Sequence, residues 1–230
     1  DQGIGRVLDT LQETGVADNT VVFFLSDNGG CATWPTQDEP GFYEYNQGIP
    51  VGDRRGYEFV GKAWGWAQNA PFRRHKVWCY EGGIATPLIV RWPKRVTANA
   101  ISHQVGHIVD LMPTLLELAG SAYPSEFNGQ RILPVEGKSL VPIFEGSTRE
   151  PHESLSWALS GNRAIRQKDW KMVWGASDKR WELYDLANDP SEKTDVAATQ
   201  PERVRKLQVG LDGWLKSVVN SLNGADYARR

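Results

Sequence analysis

The amino-acid sequence predicts an α/β portion followed by a small antiparallel sheet-and-helix portion, and three observations carry that prediction. "TVVFFL" and "TPLIVRW" are apolar on consecutive positions, the pattern of strands covered on both faces, as in a parallel sheet between helices. Segments with apolar residues at helical spacing flank these runs. From about residue 150 the pattern changes to short alternating or aromatic runs separated by polar turns, which is the signature of an antiparallel meander.

In chain order, Ile4, Val7, Leu8 and Leu11 recur at helical spacing and Gly15 supplies a stop, so residues 2–14 read as an amphipathic helix. A short turn, Val16 to Asn19, leads into the first strand, Thr20 to Leu25. The second strand runs from Thr86 to Trp92 and ends at Pro93. Residues 26–85 between them are rich in Gly, Pro, Trp and Tyr with weak periodicity, long for an idle connection, and are expected to form a functional loop region. "GHIVDLMPTLLELAG" returns to helical spacing through Ile108, Met112, Leu115, Leu116 and Ala119. Asp110 is its candidate N-cap, Pro113 is tolerable near the first turn, and Gly120 closes it. The boundary is placed near residue 150, giving a partial α/β domain over 1–150 and a C-terminal α+β subdomain over 151–230. In the latter, "LSWALSGNRAIRQKDWKMVWGASDKRWELYDL" is the meander. A helix started by Pro201 then carries Val204, Leu207, Leu211, Trp214 and Leu215 on one face.

The chain has 230 residues, 40% of them hydrophobic, enough to bury a substantial core. A net charge of −2 gives no electrostatic footprint for nucleic acid or an anionic membrane surface, so any anion recognition must be local. No apolar run approaches the ~18 residues that span a bilayer. The chain opens on Asp1, without Met or a leader, as if in the middle of something. Cys31 and Cys79 are too few for a disulfide scaffold, lack metal-motif spacing, and read as packed thiols.

The first segment with chemistry is Asp27-Asn28-Gly29-Gly30, at the end of the first strand. Two readings stand open: an Asn-Gly turn that reverses the strand, or hard oxygen donors suited to Ca²⁺ or Mg²⁺ rather than Zn²⁺. The second is "APFRRHKVWCYEGGIATPLIVRWP". Arg73, Arg74, His75 and Lys76 form a basic group that either concentrates field on an anion or is a solvated loop. Gly82 and Gly83 point to a tight turn or a close approach, and Glu81 to a structural partner for Arg or Lys. Among the four histidines, His75 is the candidate pocket residue, His107 reads as packed or capping, and His152 as surface loop. Of the ten tryptophans, Trp64 and Trp66 are the candidates for substrate contact, since aromatic faces suit sugar rings. Asn162 and Arg163 are adequately explained by a turn and a strand.

"VVFFLSDNGG" followed by "PFRRHKVWCYEGGIATPLIVRWP" resembles the second half of the type I sulfatases, members of the alkaline-phosphatase superfamily. The likeness continues through "VDLMPTLLELAG" and "NRAIRQKDWKMVW", so it spans nearly the whole chain. It implies the C-terminal part of a sulfatase-like α/β/α sandwich plus the small C-terminal subdomain. It also implies that Asp27 and Asn28 ligate Ca²⁺, with Mg²⁺ as the variant, and that Lys76, five positions before Glu81, contacts the sulfate. The implied substrate is a sulfated small molecule or sulfated glycan, and the implied location periplasmic or secreted. The family's nucleophile is a formylglycine made in a Cys/Ser-x-Pro/Ala-x-Arg signature, which neither cysteine context nor any serine here supplies. The resemblance is thus to a C-terminal portion that needs the N-terminal portion of the same enzyme and is inactive alone. Alternatives are a non-catalytic module that binds an anionic glycan, and a phosphodiesterase or phosphonate hydrolase on the same scaffold. Asn28 argues against a zinc phosphatase on coordination grounds.

Overall fold

A computed structural model describes residues 1–32, 46–56 and 59–227, and they fall into two units. The first joins Asp1–Leu25 to Leu88–His152; the second joins Ser26–Pro87 to Glu153–Ala225. The Trp- and Tyr-rich stretch between the first two strands lies partly outside the described residues.

In the first unit, helix α1 (Gln2–Glu13) and a 3₁₀ turn (Ala17–Asn19) lead into β1 (Val22–Leu25). β1 pairs with β2 (Leu88–Arg91), and the pairing is antiparallel, with Phe23 opposite Val90 and Phe24 opposite Ile89. This corrects the parallel arrangement expected from the apolar runs. A continuous apolar run states that a strand tolerates burial, but it holds no information about partner direction, and residues 26–87 leave room to return either way. Only one face of the pair is packed here: Phe23 meets Phe144, ring centroids 5.8 Å apart, while Phe24 and Ile89 on the other face are exposed.

Helix α4 (Leu111–Leu118) follows a 3₁₀ turn (Ile108–Asp110), and Asp110 ties this region together. Its fully buried carboxylate accepts from the backbone N–H groups of His107 and Lys138, both at 2.8 Å. It also accepts from Arg149 Nη2 at 2.9 Å and lies 2.7 Å from His152 Nε2. His107 Nδ1 in turn accepts from Val109 N–H, a reciprocal capping box that agrees with the capping role read for His107. His152 is not surface loop, since its side chain is only 10% exposed against Asp110. A hairpin of β3 (Glu126–Phe127) and β4 (Gln130–Arg131) and a one-turn helix α5 (Val141–Phe144) complete this unit.

The second unit contains helix α2 (Gly61–Asn69), the short helix α3 (Glu81–Ile84) and a four-stranded antiparallel meander. Its strands are β5 (Leu155–Leu159), β6 (Asn162–Gln167), β7 (Trp170–Gly175) and β8 (Arg180–Asp185), in sequential order. Register fixes the two faces. Ile165, Met172 and Leu183 stand in one cross-strand row and pack with Leu207 and Leu211 of helix α6 (Pro201–Leu222). Ala164 and Val173 stand in the opposite row and pack with Cys79, Tyr80 and Tyr184. Lys171 and Glu182 share that second face by the two-residue period, which carries their charges inward.

Burial pushes the Asp110 carboxyl up, but the bonds from Lys138, His107, Arg149 and His152 outweigh it and hold its pKa below the ordinary value. A depressed carboxyl contributes stability above its unfolded pKa of ~3.9 and loses that contribution as pH falls through the folded value. Thermal unfolding followed by circular dichroism is therefore expected to give a falling melting temperature as pH drops from about 5 towards about 2. Asp110→Asn is expected to be less stable at neutral pH but to show a shallower acid decline, having no carboxylate to protonate.

Candidate active site

The residues singled out in the sequence, Asp27, Asn28, His75 and Lys76, all lie in the second unit, where the backbone brings their two segments together. Asp27-Asn28-Gly29-Gly30 does not close a hairpin, because the partner of β1 is β2. Neither Asn28 nor Gly29 adopts the positive φ that a two-residue hairpin turn demands. The contrast lies within the same chain: Asn128-Gly129, between β3 and β4, has φ of 50° and 75° and does form that turn. Instead Gly29 N–H donates to Gly83 O at 3.0 Å, and Lys76 N–H donates to Gly30 O at 3.1 Å.

Close approach explains the glycines. A Cβ on Gly29 would stand 1.8 Å from Gly82 O, and one on Gly83 would stand 2.0 Å from Trp78 O. Asn69, at the end of α2, closes the same knot. Its Oδ1 accepts from Gly30 N–H at 2.6 Å, while its Nδ2 donates to Gly65 O at 2.7 Å and Arg74 O at 3.2 Å. On the other side Asn162, only 4% exposed, donates from Nδ2 to Val77 O at 3.3 Å and accepts from Ala176 N–H. Sequence reasoning missed Asn69 and discounted Asn162. Asn69 ends a helix whose buried positions, Gly61, Gly65 and Asn69, recur every four residues without an apolar side chain to mark them.

The loop itself is strained. Arg74 and Val77, which bracket His75 and Lys76, have φ of 67° and 85°. A β-branched residue at positive φ costs on the order of 1–3 kcal/mol and persists only where its surroundings over-determine it. Those surroundings are the meander. Lys171, wholly buried, donates to Glu81 at 2.6 Å and pairs with Glu192 at 2.8 Å, and Glu81 N–H donates to the other Glu192 oxygen at 2.7 Å. Burial alone would lower the Lys171 pKa, but the two carboxylates raise it, so the ammonium stays charged. Burial raises the Glu192 carboxyl, outweighing Lys171. A second cluster surrounds Glu182, which accepts from the hydroxyls of Tyr80 and Tyr184 and pairs with Arg73 and Arg180. Burial pushes its pKa up, but these donors win and hold it low.

The expected four-member basic group is therefore divided. Arg73 is bound to Glu182 and Tyr184, and Arg74 pairs with Asp178 at 2.9 Å, both directed to the meander. Lys76 is exposed and has no ion pair among the described residues. Asp27 is likewise exposed, with no side-chain partner among them. Asp27 and Asn28 are hard oxygen donors whose chemistry fits Ca²⁺ or Mg²⁺, although they supply at most about three of the roughly six to eight oxygens Ca²⁺ takes. No cluster of three or more His, Cys, Asp or Glu residues able to hold a metal occurs among the described residues. Cys79 is a packed thiol, its pKa pushed up to about 11 by burial.

The family model for sulfatases matches residues 1–121, and that for the C-terminal region of N-sulphoglucosamine sulphohydrolase matches residues 72–219. This chain belongs to the sulfatase family. An uncharacterised sulfatase of Schizosaccharomyces pombe is 33% identical over 231 residues, covering 94% of this chain and 40% of the relative. Human N-acetylgalactosamine-6-sulfatase is 38% identical over 149 residues, 63% of this chain and 23% of that protein. Among solved structures, Ps i-CgsB superposes with a TM-score of 0.66 at 25% identity, over 93% of this chain and 40% of that one. A Bacteroides thetaiotaomicron protein from work on glycosaminoglycan metabolism gives 0.61 at 27%, over 94% and 42%. The sulfatase fold expected from the sequence is thus present, and the chain spans about 40% of the length of these full-coverage relatives. Across the described residues no helix is long and apolar enough to cross a membrane.

Removing the central cation of the brace leaves two carboxylates buried without compensation. Lys171→Met is expected to cost roughly 3–5 kcal/mol in urea unfolding. Lys171→Met combined with Glu192→Gln is expected to recover part of that loss, because the second change removes an acid whose charged form burial already disfavours.

Proposed function

We propose that this chain carries the metal and sulfate contacts of a sulfuric ester hydrolase. The observation that carries the reading is the backbone knot. Lys76 N–H on Gly30 O and Gly29 N–H on Gly83 O bind the segment of Asp27 and Asn28 to the loop of His75 and Lys76. Two exposed groups of opposite chemistry, a carboxylate for a cation and an ammonium for an anion, are thereby held on one rigid support. In this reading Asp27 and Asn28 hold Ca²⁺, or Mg²⁺, with further oxygens from outside the chain. The bound ion supplies positive charge that offsets the negative charge of the sulfuryl oxygens.

Lys76 works as a point charge on a flexible stem, able to follow a tetrahedral sulfuryl group as its geometry changes during displacement. The strained, braced backbone around it spares the site part of the reorganisation that water would need. The nucleophile in this proposal is a formylglycine contributed outside these residues, since neither Cys31 nor Cys79 sits in the required signature. The relatives named for N-acetylgalactosamine-6-sulfate and N-acetylglucosamine-6-O-sulfate support a sulfated sugar as the substrate class.

In the protein that joins this chain to a formylglycine-bearing portion, Asp27→Ala is expected to abolish turnover of a sulfated sugar. Lys76→Ala is expected to lower kcat roughly 10²–10³-fold with the circular dichroism spectrum unchanged. Unaltered turnover in Asp27→Ala would remove the metal assignment. The purified 230-residue chain is expected to release no sulfate by ion chromatography, and release by it would put the nucleophile inside these residues.

A further inference from the structure

Beside Lys76 lies a set of rings that the hydrolytic reading leaves unused. Trp66, on α2, meets His75 edge-on with centroids 6.2 Å apart and planes at 72°. His75 meets Trp78 edge-on at 6.5 Å and 89°. Trp78 is held in turn, with the Arg74 guanidinium 4.3 Å from the centre of its ring and Tyr80 at 6.1 Å. The outer member, Trp66, remains 44% exposed although its neighbours are fixed. One ring nitrogen of His75 is engaged by its own loop. Its Nδ1 lies 3.0 Å from Lys76 O, an acceptor, so Nδ1 donates there and Nε2 is the ring's remaining polar atom. Trp64, although more exposed, stands two positions from Trp66 on the helix, and residues at that spacing do not share a face.

We infer that Trp66 and His75 form a saccharide subsite, in which a pyranose ring lays its C–H face on the Trp66 indole and donates a hydroxyl to His75 Nε2 while its sulfate reaches Lys76. The inference rests on the sulfate-binding reading of Lys76 and adds the part that recognises what the sulfate is attached to. Three features match three. The indole face suits the apolar face of a sugar, the imidazole lone pair suits a hydroxyl donor, and the ammonium suits the ester sulfate. A simple alkyl sulfate would use the ammonium alone. An aryl sulfate could stack on Trp66 but has no hydroxyl for His75, leaving that nitrogen without its partner. Specificity of this kind arises because an unmade hydrogen bond costs more than an absent apolar contact. Trp66 and His75 are thus specificity-determining residues, outside the groups that act on the sulfur.

The test is isothermal titration calorimetry on the full chain with two probes, N-acetylgalactosamine 6-sulfate and inorganic sulfate. Trp66→Ala is expected to weaken the sugar sulfate about tenfold and leave inorganic sulfate unchanged, and Trp66→Phe, which keeps a stacking face, to restore most of the affinity. Lys76→Ala is expected to weaken both probes. If Trp66→Ala leaves the sugar sulfate unchanged while Lys76→Ala weakens both, the subsite is overturned and the sulfate reading stands. If Lys76→Ala changes neither, the sulfate reading fails and the subsite falls with it. Equal loss of both probes in Trp66→Ala would also overturn the subsite, because the residue would then act through the loop and not through stacking.

Discussion

The ammonium of Lys171, enclosed between Glu81 and Glu192, is the constraint on which the site depends. Removing such a charge from water costs several kcal/mol even after relaxation, so the strand that carries it tolerates only a position where both carboxylates reach it. That requirement fixes β7 against Glu81. Glu81 opens the turn containing Gly82 and Gly83, and those glycines admit the carbonyls of the Arg73–Trp78 loop at distances no side chain would allow. Glu182 repeats the device one strand over, gripping Arg73 and Tyr80. The meander thus positions, from behind, a loop whose own dihedral angles oppose it.

Parts of this were legible in the sequence for identifiable reasons. The meander and α6 follow their periodicities closely, because packing on helix α6 demands the row Ile165, Met172, Leu183 whatever the rest of the chain does. Lys171 and Glu182 were not legible as interior residues. In a strand read alone, a charge that alternates with apolar neighbours marks a solvent face, and only the fold shows that both faces are covered. Helix α2 escaped because its buried stripe is Gly61, Gly65 and Asn69, which an apolar periodicity cannot register. His152 sits in a polar, proline-flanked stretch with nothing local to announce an acid forty-two positions earlier. Two of the three Asn-Gly pairs show the limit most directly. The same dipeptide makes a hairpin at 128–129 and a bend without positive φ at 28–29, and the difference lies in Gly83 and Asn69, distant in sequence.

The allocation of cations follows side-chain chemistry. Arg73 and Arg74, with planar forks of several donors, are spent on carboxylates, a tyrosine hydroxyl and aromatic faces. The lysine, with a compact charge and a mobile stem, is the member left exposed. A run of four basic residues in sequence therefore offers one ammonium without an ion pair among the described residues and one imidazole, a modest field whose selectivity must come from geometry.

The backbone bonds joining Gly29 and Gly30 to Gly83 and Lys76 also make the two motifs one cassette for protein engineering. Grafting either loop alone from another sulfatase would have to reproduce a carbonyl approach that a single methyl group forbids. A chimera that moves the strand-end segment, the Asn69 clasp and the Glu-Gly-Gly turn as a set keeps the joint intact. In the proposed subsite, exposed Trp66 is the position at which substrate range would then be altered without reopening that joint.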